Sequence, residues 1–209
     1  MSSQFSIRHT TIPTDFHSRW QPLVDSMAQV FNTRIAMVTR VHENELEILT
    51  ASHSPVNPFK VGTKHPLDGN LYCESTLRRT DVLYVKDASR LSEWKNSSLK
   101  KNGLTSYLGL PLHWPTGELF GTISLIDSKP ITSDYRKHSL LHTFRTMVQN
   151  ELHLLIETEE RKRYQRLLEG KMMELTEFSK ELVRKERRII ELKNRLVSRD
   201  FEAQQSLAV

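Results

Sequence analysis

Two kinds of hydrophobic spacing alternate along the chain. Apolar residues at Trp20, Leu23, Val24, Met27, Val30 and Phe31 recur every three or four positions, which predicts a helix over 20–31 with one buried stripe. The β-branched run Ile35–Val41 predicts a strand, His42–Glu45 a polar turn and Leu46–Ser52 the return strand of a hairpin. Residues 54–66 carry three prolines and one glycine and read as a loop. A short helix is expected over 69–79, a short strand over 82–85 ending at Asp87, and a polar helix holding Trp94 over 91–101. Leu104–Trp114 and Leu119–Asp127 read as long antiparallel strands around a turn in which Gly117 supplies a positive φ. Ser133 or Asp134 caps a last helix, whose stripe runs through Leu140, Leu141, Phe144, Met147, Val148, Leu152, Leu155 and Ile156. The order α, β, β, α, β, α, β, β, α predicts an α+β fold around an antiparallel sheet.

That last helix has no clear stop, and from Arg161 its pattern changes. Leu168, Leu175, Leu182, Ile189 and Leu196 form a column spaced by seven. The companion column is mixed, with Lys171, Phe178, Lys185 and Leu192 three residues further on. A continuous helix from Asp134 to Arg199 would be about 100 Å long at 1.5 Å per residue. It would not bury this column alone, so a parallel homodimer with these five residues as its seam is the expected solution. The alternative is a solvated single helix or one folded back on the body. Interleaved glutamates, such as Glu181 before Lys185, fit a coiled-coil flank better than a nucleic-acid surface.

Composition supports this division. All 8 prolines lie between Pro13 and Pro130, and residues 158–209 hold 13 Lys/Arg and 10 Asp/Glu. Three segments are therefore expected: an N-terminal arm over 1–19, loose through Phe16, a folded body over 20–157, and a coiled-coil helix over 158–209. The net charge of +5 is too small for a dedicated nucleic-acid binder. No apolar run is long enough to span a membrane, and the N-terminus has no secretory core, so no membrane partner is expected. The lone Cys73 makes no intramolecular disulfide and points to a reducing, cytoplasmic setting.

Within the strands, Gly109 and Gly121 suggest a close backbone approach or a bulge, and Pro111 an edge position or a bulge. Asp127 ends a strand and is placed to cap the following turn. The string LTSYLGLPLHW, then PTGE, then LFGTISLID, with a long helix after it, resembles the final hairpin of a GAF domain. Tyr72-Cys-Glu-Ser-Thr-Leu followed by Asp81-Val-Leu-Tyr-Val-Lys-Asp87-Ala88 resembles an earlier segment of the same family. The resemblance covers roughly Trp20 to Glu157. It implies a GAF/PAS-like central sheet flanked by helices, with a pocket on one face, in a bacterial-type sensor.

Members of that family bind cyclic nucleotides, bilins, haem or small metabolites, or nothing, so the ligand and cofactor stay unknown at this point. The spaced Asn-Lys-Phe-Asp-Glu signature of cyclic-nucleotide binders is not assembled here. Cys73 is followed by Glu74 rather than His, which argues against a covalent bilin. His138 and His142 have a chelating spacing but no companion ligand, so no metal site is expected. Reduction of methionine sulfoxide, known in some members, uses more than one cysteine, so no enzyme is expected. The resemblance implies that Tyr72, Cys73, Asp87, Trp94 and Tyr107 line any ligand site. Strand alternation puts Ser106, Leu108, Leu110 and Leu112 on one face and Tyr107, Gly109, Pro111 and His113 on the other. The expected function is a dimeric sensor that relays ligand or partner state through its helix to an output such as a histidine kinase or diguanylate cyclase. A ligand-free dimerisation or protein-interaction scaffold is the alternative.

Overall fold

The computed structural model describes residues 10–94 and 97–206, with side chains throughout except at 98, 101 and from 198 onward. By contacts the chain divides into two units, the first ending at Ile156 and the second beginning at Glu157.

The first unit opens with helix α1, Asp15–Phe31, whose Phe16, Trp20, Val24, Met27 and Phe31 are buried at helical spacing. It starts five residues earlier than the periodicity predicts. Thr10 and Ile12 are buried ahead of it, so this end of the expected arm packs on the core through alternate residues rather than lying loose. The cause is local: Ile12 and Phe16, four apart, extend the same apolar stripe. Residues 1–9 of the expected arm lie outside the described residues. Asn32 ends α1 in the left-handed conformation, where its N–H bonds to the Ala28 and Gln29 carbonyls.

Strands β1 (Ile35–Val41), β2 (Glu45–Ala51), β3 (Lys64–Pro66), β4 (Leu83–Val85), β5 (Ser106–His113) and β6 (Leu119–Asp127) form one sheet in the order β3-β2-β1-β6-β5-β4. Every described pairing is antiparallel. β3 replaces the end of the loop expected over 54–66. It is only three residues long and ends at a proline, so no alternation marks it, and backbone pairing to Glu45–Glu47 defines it.

Bulges adjust the register of both hairpins, between Val38 and Thr39 in β1 and between Leu112 and His113 in β5. Gly121 lies opposite Arg40 at the join of β1 and β6. Pro111 is paired with Thr122 of β6 but lies beyond the last β4 partner, Gly109, so its missing N–H breaks no β4–β5 bond. Gly117 has φ +86°, as the turn between β5 and β6 requires. Asp127 accepts the N–H groups of Ser128 (2.7 Å) and Lys129 (3.1 Å), and its second oxygen accepts that of Arg34 (2.9 Å). It therefore caps the turn and fastens it to the start of β1.

The sheet has a core on each face. One face carries Ala36, Val38, Leu108, Leu110, Leu112 and Leu125 against α1 and against Leu141, Val148, Leu152, Leu155 and Ile156. Those five residues belong to α4, Tyr135–Ser206, which the last strand feeds through Ile131. Asp134 caps α4 by accepting the Lys137 N–H at 2.9 Å. Ile131 is held at both backbone groups: its N–H donates to the Ser106 hydroxyl (2.9 Å) and its carbonyl accepts from the Tyr84 hydroxyl (2.7 Å).

The other face carries Ile35, Met37, Ile48, Tyr107 and Ile126. It is covered by helix α2, Tyr72–Leu77, and by a segment with two 3-10 turns, Ala88–Arg90 and Ser92–Trp94, and a short helix α3, Ser98–Lys101. The single helix expected over 91–101 is thus broken. Burial of Trp94 fixes the second turn, and Ser97, buried just before α3, separates it from that helix.

The second unit is the remainder of α4. Leu168, Leu175, Leu182, Ile189 and Leu196 are between 48% and 66% exposed, and Phe178 and Leu192 beside them are exposed as well. Ion pairs Lys171–Glu174, Lys180–Glu177, Lys185–Glu181 and Arg195–Glu191 run along the same helix. No described helix is long and apolar enough to cross a membrane.

Candidate functional site

The second face gathers four of the five expected site residues into one cluster. Gly69 (φ +86°) begins the approach to α2, and the Glu74 carboxylate accepts its N–H at 2.6 Å. Glu74 also pairs with Arg78 at 3.1 Å, which ties both ends of α2 to one carboxylate. The helix so held turns Tyr72, Cys73 and Thr76 onto the sheet.

Tyr72 and Tyr107 are completely buried, and Trp94 is 5% exposed. The Tyr72 and Trp94 rings meet edge to face at 4.6 Å, and Tyr72 and Tyr107 are tilted at 5.4 Å. Each such contact adds about 0.5–1.5 kcal/mol beyond burial. The Tyr72 hydroxyl donates to the Leu104 carbonyl at 3.3 Å. The Tyr107 hydroxyl meets Thr76 Oγ1 at 2.7 Å, and Thr76 donates to the Tyr72 carbonyl at 3.0 Å. Burial raises the Tyr72 phenol above its ordinary pKa and Tyr107 well above it.

Cys73 is 4% exposed, and its sulfur lies 4.0 Å from Ser124 Oγ on β6. Burial pushes its thiol up, so the neutral form is favoured. Beneath, Thr39 and Thr122 share a hydroxyl contact of 2.8 Å across β1 and β6. The floor of the cluster is therefore a strip of small polar groups and its walls are aromatic. Trp94 Nε1 is buried without a hydrogen-bond partner among the described residues.

Asp87 stands at the edge of the cluster, 28% exposed. It caps the first 3-10 turn, accepting the Ser89 N–H at 3.0 Å, and pairs with Arg90 at 3.2 Å. The Ser89 hydrogen bonds, aided by Arg90, hold its carboxyl below the usual range. Its charge also reaches the Tyr72 phenol, adding to the effect of burial there.

The sequence reading missed Thr76 and Ser97. Thr76 lies one helical turn from Tyr72, so it had a periodic signal. Ser97, buried near the Tyr72 phenol, follows an irregular turn and had none. The two candidate chelating histidines have separate partners: His138 Nε2 bonds the Ser133 hydroxyl, and His142 Nε2 lies 3.7 Å from Asp81. Among the described residues no group of three or more His, Cys, Asp and Glu is arranged to hold a metal ion.

A match to the GAF domain family spans residues 15–150. Among curated proteins none matches the chain. Among solved structures, the blue-light absorbing form of the Thermosynechococcus elongatus PixJ GAF domain is similar at 14% identity and TM-score 0.60, over 78% of this chain and 96% of that one. The GAF domain of Acinetobacter phosphoenolpyruvate-protein phosphotransferase is similar at 15% identity and TM-score 0.54, over 74% and 88%. Free methionine-R-sulfoxide reductase from Neisseria meningitidis, solved with its substrate, is similar at 16% identity and TM-score 0.53, over 72% and 83%. At these identities the structures speak for the fold, while the family match speaks for the sequence itself. The chain belongs to the GAF domain family, a family of sensor and signalling domains.

Proposed function

We propose that this protein is a cytoplasmic sensor module whose GAF domain binds a small ligand at the Tyr72–Cys73–Trp94–Tyr107 cluster. A second copy pairs with it through the C-terminal helix, and ligand state is relayed to an output domain such as a histidine kinase or diguanylate cyclase. The observation that carries the ligand half is the buried, unpartnered Trp94 Nε1–H within an aromatic-walled, polar-floored cluster. A buried donor without a partner costs about 1–3 kcal/mol, and a ligand acceptor placed there would recover it. The relay half rests on α4, which supplies Leu141 to Ile156 to the core and then an exposed column spaced by seven. Apolar exposure of that length is relieved by a second helix.

A second reading, a ligand-free dimerisation scaffold, is favoured by the complete burial of Tyr72 and Tyr107, which already fill the space between α2 and the sheet. Thiol chemistry is not proposed. The one cysteine of the chain is 4% exposed with its pKa raised, which suits neither covalent attachment of a bilin nor attack on a sulfoxide.

Native mass spectrometry of the purified full chain tests these readings together. The sensor reading expects a dimer carrying a small mass that is released on denaturation. A dimer that neither carries nor takes up any small molecule supports the scaffold. A monomer at micromolar concentration, unchanged when residues 158–209 are removed, overturns the relay.

A further inference from the structure

The seven-residue column of α4 does not itself set the direction of a second helix, but the charges beside it do. With Leu168, Leu175, Leu182, Ile189 and Leu196 as one set of core positions, Lys171, Phe178, Lys185 and Leu192 form the other. The apolar members of both sets are between 45% and 66% exposed. Glu174, Glu181, Arg188 and Arg195 each stand one residue before the first set, and Met172, Ser179, Glu186 and Lys193 one residue after the second. These flanking positions are the ones that meet a partner helix across the seam.

A parallel partner in register brings like groups together. Lys171 meets the partner's Lys171 in the core, and Lys185 the partner's Lys185. On the rim each flanking residue meets the one five positions on, so Glu181 faces the partner's Glu186 and Arg188 the partner's Lys193. Like charges opposed in both core and rim weaken such a pair.

An antiparallel partner removes each of these conflicts in one register. With Leu182 opposite the partner's Lys185, Phe178 meets the partner's Ile189, Leu175 the partner's Leu192 and Lys171 the partner's Leu196. Both lysines then lay their aliphatic stems on a leucine, with the ammonium reaching water. On one rim Glu181 meets the partner's Arg188 and Glu174 the partner's Arg195, each twice by symmetry. On the other rim Ser179 meets the partner's Glu186 and Met172 the partner's Lys193, with no like-charge pair. A shift of one heptad either way sets Glu181 against its own copy or Arg188 against its own copy. Ion pairs within the helix, such as Lys185–Glu181 at 2.9 Å and Arg188–Glu191 at 3.1 Å, join exposed groups and form in either direction, so they do not decide between the two.

We infer that a second copy of this chain docks on α4 antiparallel, with Leu182 of one helix against Lys185 of the other, rather than in the parallel arrangement that the column alone suggests. This rests on the proposed pairing through the C-terminal helix and adds its direction and register. The two-fold axis falls between Val183 and Arg184, and the end of one seam at Leu196 lies beside the start of the other at Lys171.

Disulfide trapping in the full chain tests the register. Leu175→Cys and Leu192→Cys are made separately and oxidised alone and as a mixture, after the mixed chains have exchanged partners. Cys73 is 4% exposed and stays out of the reaction. The expected result is a dimer linked from 175 to 192, formed in the mixture on the order of tenfold more than in either variant alone, because a disulfide requires close Cβ atoms. Links within each variant alone, or none from a chain that is still dimeric, overturn the register and leave the pairing reading intact. A chain that is monomeric in sedimentation equilibrium and gives no link overturns the pairing reading and this inference with it. Charge reversal supplies a second readout that does not depend on cysteine geometry. Glu181→Lys should weaken dimerisation about fivefold, and adding Arg188→Glu should restore it. In a parallel pair Glu181→Lys faces the partner's Glu186 and tightens the dimer, so a tightened dimer also overturns the inference.

Discussion

A Cβ placed on Gly121 of β6 would stand 1.8 Å from the carbonyl oxygen of Thr39 on β1. The obstruction is backbone, so no rotamer change relieves it. Gly121→Ala is expected to push β1 and β6 apart beside the Thr39–Thr122 hydroxyl contact and to cost about 3 kcal/mol or more. Urea unfolding followed by circular dichroism would show the loss as a lowered midpoint. An unchanged midpoint would mean that the two strands separate freely at this point.

Tyr107 makes a contrasting case, because one atom can be removed from it. Tyr107→Phe takes away the hydroxyl that meets Thr76 Oγ1 at 2.7 Å while Thr76 keeps its bond to the Tyr72 carbonyl. The expected loss is about 1 kcal/mol. Tyr107→Ala empties the centre of the cluster and is expected to cost about 3–5 kcal/mol. Equal losses from the two variants, again by urea unfolding, would show that the hydroxyl rather than the ring carries the stability.

The buried thiol and phenol set the response to alkali. Both are raised by burial in the folded chain, from reference values of 9.0 for Cys73 and 10.0 for Tyr107. A raised acid binds its proton more tightly in the folded state, so stability is level below the unfolded pKa and falls as pH rises above it toward the folded pKa. Unfolding free energy should therefore be flat from pH 7 to about 8 and decline above pH 9, and Cys73→Ala should begin its decline at higher pH. Cys73 should also react with a thiol reagent only after denaturant is added. Prompt reaction in native buffer would contradict the burial and reopen thiol chemistry.

Trp94→Phe separates ligand capture from folding. The substitution keeps an aromatic ring against Tyr72 and removes the buried N–H. Under the sensor reading the variant stays folded and loses its small-molecule adduct in native mass spectrometry. Retention of the same adduct would place the ligand elsewhere.

The exposed column of α4 is expected to be the contact between two copies. Leu175→Asp combined with Leu182→Asp should give a monomer in sedimentation equilibrium with the melting of the first unit unchanged. A dimer that survives both changes would have its seam on another surface.

The central strands were legible in the sequence because each carries a long β-branched or alternating run. The division of β5 into a Leu108–Leu110–Leu112 face and a Tyr107 face followed from that alternation alone. Gly121 and Asp127 could be read because a glycine inside a strand and a carboxylate at its end each answer one backbone need. β3 and the 3-10 turns could not, since pairing and the burial of Trp94 define them rather than any period. In the aromatic cluster, Tyr72 and Tyr107 were found through the family segments around them, while Ser97 follows no pattern.

The two hydrogen bonds at Ile131 join strands that the order of the chain keeps far apart. Ser106 and Tyr84 sit on β5 and β4, while Ile131 is the last buried residue before α4 begins. Ser106 also donates to the Val85 carbonyl of β4, so its hydroxyl is a common pin through the edge strand, its neighbour and the root of the helix. β4, whose Leu83 and Val85 pack in the core of the aromatic cluster, is thereby tied to Ile131 without a path through the middle of the sheet. The link from the edge of the sheet to the root of the helix is thus a serine hydroxyl and a tyrosine hydroxyl, two ties that single-atom substitutions can disconnect one at a time.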